Sequence, residues 1–165
     1  MTISLTSKER SLLEDQKSHE ELCIQKYTGY ARQASDPQLQ NLFQNHAKIE
    51  QEHLNTINQL LSGQIPAMNQ QQNQGQGQQQ SQQQTQQSTN SFQAYGTPAF
   101  QPTDMEMCND LLMTEKYVSG TYDTTIFESR DTQMRQVLNH IQKEEQEHGD
   151  AIFKYMESKG MYTPQ

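Results

Sequence analysis

"EQEH", residues 50–53, returns unchanged at residues 145–148. Four matching residues mean little alone, so the question is whether the identity spreads outward. It does. A shift of 95 residues, with no gap, sets Glu20 on Glu115, Tyr27 on Tyr122, Asp36 on Asp131, Lys48 on Lys143 and Ile57 on Ile152. Residues 5–63 and 102–162 therefore read as two copies of one unit.

Each copy reads as helix, short turn, helix. Thr6 with Glu9, and Thr103 with Glu106, fit the capping box, in which Thr and the Glu three residues later satisfy the orphan N–H groups of a helix start. The turns fall at "SDPQLQ" (35–40) and "RDTQMR" (130–135), where Asp36 and Asp131 can cap the next helix and Pro37 suits its first turn. Gly63 and Gly160 take the left-handed conformation cheaply and should stop helices two and four. One hairpin cannot cover its own apolar stripe. Two of them predict an all-α, four-helix bundle with a pseudo-two-fold axis.

The stripes are apolar except at their middles. Helix one offers Leu13, Glu20, Cys23, Tyr27 and Ala34, and helix two Leu39, Phe43, His46, Glu50, His53 and Ile57. Helix three offers Cys108, Leu111, Glu115, Val118 and Tyr122, and helix four Met134, Ile141, Glu145, His148 and Ile152. An antiparallel hairpin brings together residues equally far from its turn. Glu20 and Glu50 average to position 35, and Glu115 and Glu145 to position 130, both on predicted turns. His53 and His148 lie three residues beyond their glutamates, on the same face and about 4.5 Å further along the axis.

Four carboxylates and two imidazoles thus converge on the bundle axis. Without counter-charge the acids would repel one another and suffer desolvation. A pair of divalent cations removes the conflict. One Glu from each of two helices, plus Glu-x-x-His from each of the others, is the ligand set of ferritin-like di-iron and di-manganese proteins. The expected ligands are Glu20, Glu50 and His53 for one half and Glu115, Glu145 and His148 for the other, with Glu50 and Glu145 bridging. Carboxylate and imidazole donors suit Fe or Mn, and zinc stays open. The competing reading is a relic of duplication whose acids are protonated or paired with Lys. His46, one turn before Glu50, either donates to a ligand carboxylate or is a core histidine. Tyr27 and Tyr122 either bond the ligands or pack the core. Cys23 reads as a small hydrophobe.

Composition narrows the functions. The chain has 165 residues, 31% of them hydrophobic, with a mean hydropathy of -1.04, a net charge of -8 and a pI near 5.0. No Lys/Arg run could neutralise a phosphate backbone, which argues against nucleic acid as partner. The sequence shows no membrane span and no secretion signal at "MTISLTSKER". Cys23 and Cys108 lack metal-ligand spacing and are expected to be buried thiols. Much of the polarity lies in "NQQQNQGQGQQQSQQQTQQSTNS" (69–91), so residues 64–101 read as a disordered Gln-rich linker between hairpins of one bundle domain. As a flexible coil of roughly 40 residues it reaches about 35 Å, enough to cross the bundle or to let two chains exchange hairpins as a swapped dimer.

The second hairpin, through "LLMTEKY", "TYDTTIFES", "EEQEH" and "IFKYMESKGMY", resembles the coat F family of spore coat proteins of endospore-forming bacteria. The resemblance implies a ferritin-like fold, synthesis in the mother-cell cytoplasm, a place in the spore coat, and other coat proteins or further copies of the chain as partners. Glu115, Glu145 and His148 match family positions. Two functions follow: a structural coat protein whose metal holds the bundle together, or a dinuclear Fe or Mn enzyme acting as peroxidase, catalase or ferroxidase.

Overall fold

The computed structural model describes residues 2–66 and 101–163, which form four helices: α1 (Ser7–Gln33), α2 (Pro37–Leu61), α3 (Asp104–Glu128) and α4 (Thr132–Ser158). The Gln-rich stretch read as a linker lies outside the described residues. Both capping boxes form, with Thr6 accepting from the Glu9 N–H and Thr103 from the Glu106 N–H. Asp36 caps α2 with Pro37 in its first turn, and Asp131 caps α4. Gly63 adopts φ 79° where the chain leaves α2. A Cβ on Gly63 would stand 2.9 Å from the Ile3 carbonyl oxygen, because the N-terminal segment crosses here: the Ile3 N–H donates to Gly63 O at 2.8 Å.

α1 packs on α2 and α3, and α4 packs on α3 and α2, so the helices run around the bundle in the order one, two, four, three. Contacts between α1 and α3 pair low numbers with high ones: Glu9 meets Arg130, Gln16 meets Thr125, and Ser35 meets Asp104. The two helices are therefore antiparallel. Consequently α2 ends and α3 begins at opposite ends of the bundle, a span of about 37 Å for helices of this length.

Leu13, Tyr27, Leu39, Phe43, Ile57, Leu111, Tyr122, Met134 and Ile152 are buried along the axis, with Tyr30, Leu42, Leu61, Leu112 and Ile126 half-buried at its margins. Cys23 and Cys108 are free, buried thiols. Above and below the central polar belt the core is mostly hydrocarbon, interrupted by hydrogen-bonded groups such as Gln16 with Thr125, and its burial drives the bundle together.

The duplication is also visible in how the ends are tied. Glu9, in the first turn of α1, accepts from the Arg130 N–H at 2.9 Å, while its 95-shifted counterpart Asp104 accepts from the Ser35 N–H at 2.8 Å and the Asp36 N–H at 3.0 Å. Each hairpin's first helix thus anchors the other hairpin's turn. Glu9 is 4% exposed. Burial pushes its carboxyl upward, but the Arg130 and Thr6 N–H groups and the Thr6 hydroxyl outweigh it and hold the pKa at about 2. A carboxyl lowered on folding contributes stability that is present above about 4.5, its unfolded value, and is lost as pH falls through 2. Glu9→Gln should therefore cost on the order of 2 kcal/mol at neutral pH and flatten the stability curve between pH 4.5 and 2. Urea titrations at stepped pH check this; an unchanged acid limb in the variant would contradict the tie.

Candidate metal centre

Residues on four different helices converge at mid-bundle because each sits at the same height on its helix. Glu20 on α1 and Glu50 on α2 are both 0% exposed, as is Glu145 on α4, and Glu115 on α3 is 2% exposed. His53 and His148, one turn along from Glu50 and Glu145, are buried too. All six residues expected from the sequence meet. They form two overlapping sets: Glu20, Glu50, His53 and Glu145 in one, and Glu50, Glu115, Glu145 and His148 in the other, with one donor atom from each residue lying within 4.8 Å of the rest of its set. Glu50 and Glu145 belong to both, the arrangement that bridging carboxylates need.

Six of the atoms that could hold a cation are buried without a hydrogen-bond partner: Glu20 Oε2, Glu50 Oε1, Glu115 Oε2, both Glu145 carboxylate oxygens and His148 Nδ1. His148 Nδ1 lies 2.8 Å from Glu50 Oε1, yet the two are not aligned for a bond. His53 Nδ1 lies 3.0 Å from Glu145 Oε1 and 3.3 Å from Glu50 Oε2. Each orphaned polar atom costs on the order of 1–3 kcal/mol, so six in one place call for an external partner. Hard or borderline divalent cations fit this donor set.

Electrostatics give the same picture. Burial lifts Glu20 to about 7, with His53 opposing and Glu50 reinforcing the rise. Burial also drives Glu145 well above the usual carboxyl range, helped by Glu50 and Glu20. Glu50 goes the other way: burial acts upward, but His148 and His53 overcome it. Burial pulls both imidazoles down, yet the surrounding carboxylates win and raise His53 well above its ordinary value and His148 to about 9. Left alone, the cluster therefore neutralises itself with protons, which cations of higher charge would displace.

The tyrosines bond the acids, and they do so across hairpins. The Tyr27 hydroxyl donates to Glu115 Oε1 and the Tyr122 hydroxyl to Glu20 Oε1. Sequence placed each tyrosine two turns from the glutamate of its own helix and left packing and bonding open. The signal for the true partners was the midpoint rule applied between α1 and α3: Tyr27 with Glu115 and Tyr122 with Glu20 share one midpoint, position 71.

Two features break the symmetry. His53 Nε2 faces Glu144 Oε2 at 2.9 Å, a carboxylate the sequence analysis did not single out. With Nε2–H donated outward, Nδ1 is the nitrogen that faces the cluster, and its lone pair would become available to a cation once the ring gives up its second proton. The counterpart of Glu144 is Ile49, so His148 has no such support, and its Nε2 is buried without a partner. Instead the His46 ring stacks on His148 at 4.2 Å between centroids and meets Tyr27 edge-on at 5.2 Å. His46 thus packs against a site imidazole rather than donating to a site carboxylate. Burial, with His148 adding, depresses it to about 3, so it stays neutral. His19 touches Thr121 and Tyr117 of α3, and His140 is exposed beside Glu144.

If Glu144 sets the orientation of His53, Glu144→Gln should weaken cation binding at one of two sites by about 10- to 100-fold and leave the other unchanged. Calorimetric titration of metal into the metal-free protein reads both sites; an equal loss at both, or none, would refute the assignment.

Comparison with known proteins agrees on the architecture. Residues 103–165, the second hairpin, match the family described as Coat F domain. No curated protein matches the chain. Among solved structures, a two-domain protein from Anabaena variabilis containing DJ-1/ThiJ/PfpI-like and ferritin-like domains matches with a TM-score of 0.67 at 13% identity, over 98% of this chain and 40% of that one. This chain spans 40% of that protein's length, and at such low identity the likeness concerns the fold. The chain is a ferritin-like four-helix bundle whose second hairpin matches the Coat F domain.

Proposed function

We propose that this chain is a spore coat protein whose bundle holds two divalent cations, Fe or Mn, through Glu20, Glu50, His53, Glu115, Glu145 and His148. The observation that carries the metal reading is the set of unpartnered, inward-facing donor atoms at the bundle centre. Four carboxylates balance the charge of two divalent cations, and the cations supply the partners the protein itself does not. Glu50 and Glu145 span both positions; Glu20 with His53 and Glu115 with His148 complete them. Tyr27 and Tyr122 hold the second oxygens of Glu115 and Glu20, fixing where the free oxygens point. The coat assignment draws on the Coat F match, and other coat proteins or further copies of the chain are its partners. Among the described residues no helix is long and apolar enough to cross a membrane.

A bound Fe or Mn pair would supply one-electron redox chemistry at fixed separation. A second reading follows, in which the same centre removes peroxide or oxidises Fe(II). One observation favours it: Glu115 and Glu145 line a groove that opens to solvent.

Protein expressed in medium supplemented with iron and manganese should carry about two metal ions per chain by elemental analysis. Glu145→Ala, which removes a residue common to both sets, should lower that to below about one. A well-folded wild-type chain without metal would sink the reading. Hydrogen peroxide consumption abolished by Glu145→Ala would favour the enzyme; full metal content without turnover favours the structural role.

A further inference from the structure

The pseudo-two-fold is broken most plainly at the surface of the second hairpin. Between α3 and α4 lies an open groove of about 670 Å³, in the range of small-molecule sites. Two of the four central acids, Glu115 and Glu145, line it, whereas Glu20, Glu50, His53 and His148 do not. Its walls include Leu112, Met113, Phe153 and Tyr162. The Phe153 and Tyr162 rings meet edge to face at 5.1 Å, and Met113 is 68% exposed. Gly149, also lining the groove, sits beside Glu115: a Cβ there would meet nothing nearer than the Glu115 Cβ, at 4.0 Å.

None of this is repeated on the other side. The 95-shifted counterparts of Leu112, Met113, Gly149 and Phe153 are Lys17, Ser18, Leu54 and Asn58. Leu54 supplies a half-buried side chain where Gly149 leaves space, and the polar counterparts cannot form an apolar wall. Among the described residues, this groove therefore belongs to the half of the duplicated core that contains Glu115. That half also has the imidazole without a supporting carboxylate.

We propose that this groove binds a small aromatic molecule bearing a hydroxyl, of the phenol class, with the ring against Met113, Phe153 and Tyr162 and the hydroxyl directed at Glu115 and Glu145. Three features select that chemistry. The walls offer ring edges and a thioether, which favour a flat aromatic partner over an aliphatic one. The inner end is closed by Glu115 and Glu145, whose carboxylate oxygens are buried beneath it, and a hydroxyl that reached past their side chains could donate to a carboxylate or coordinate a cation held there. At the rim Lys116 has no ion pair among the described residues and favours an electron-rich or anionic ring. Peroxide alone would occupy a small fraction of the space, since a water-sized molecule takes about 30 Å³. The placing of the hydroxyl rests on the dinuclear reading above; the placing of the ring does not.

The test uses the full chain loaded with iron and 4-nitrocatechol, whose absorbance shifts on binding, with Gly149→Ala, Gly149→Leu and Phe153→Ala compared with wild type. Gly149→Ala should bind nearly as wild type, Gly149→Leu about tenfold or more weaker, and Phe153→Ala several-fold weaker, at equal metal content and helicity. Equal affinity in Gly149→Leu at unchanged metal content would overturn the proposal. Should that variant lose helicity, an unchanged affinity in Phe153→Ala would do the same. In the metal-free chain, 4-nitrocatechol should shift the NMR signals of the Met113 methyl and the Gly149 amide. A chain that takes no metal but shows these shifts refutes the dinuclear reading and leaves the groove assignment standing; no shifts at either residue refutes the groove.

Discussion

Charge at the bundle axis is the constraint on which the rest depends. Two like charges about 4 Å apart repel by about 4 kcal/mol even at an effective dielectric constant of 20, and burying each ion costs several kcal/mol more. A domain of this size is stable by only about 5–15 kcal/mol. Four buried, fully ionised carboxylates would therefore unfold the chain unless something opposed them. Protons and the two imidazoles can oppose them partly, as the raised pKa values of Glu20 and Glu145 and of both histidines show. They leave six donor atoms unpartnered, which cations would satisfy.

The bundle is built to hold those groups still. Long apolar stretches on either side of the acids bury the helices against one another, and the end ties through Glu9 and Asp104 fix the height of α1 against α3. Height matters because a slip of one residue would turn Tyr27 and Tyr122 away from Glu115 and Glu20. Duplication makes each of these devices twice over. Where the copies diverge, at Glu144, His46 and Gly149, the two halves of the centre gain different surroundings: one imidazole backed by a carboxylate, the other stacked on a neutral ring.

Local chemistry and periodicity made the fold legible in the sequence. Thr6, Thr103, Asp36 and Asp131 mark helix starts by bonds within three residues, and the spacing of Glu20 and Glu50 about a turn needs only antiparallel geometry. The convergence of the six polar residues followed from the same reasoning. What the sequence did not disclose depends on packing between hairpins. Glu144 looks like any exposed acid of a Glu-rich helix until α2 is laid against α4 and His53 reaches it. His46 shares its helix face with Glu50, but whether it bonds a carboxylate or stacks on a ring is decided by a rotation of the side chain, which spacing does not encode. Gly149 leaves part of the groove unfilled, and a glycine within a helix signals space only once its neighbours are known.

A bundle centre organised by cations and a place in a protective coat are compatible, since cross-bracing four helices stabilises a scaffold whether or not it turns over a substrate. Anomalous diffraction from crystals grown with manganese or iron tests the organising role most directly. The account predicts two peaks at mid-bundle, one bounded by Glu20 and His53, the other by Glu115 and His148, with Glu50 and Glu145 touching both. A centre without anomalous density, whose acids bond to one another and to water, would contradict it.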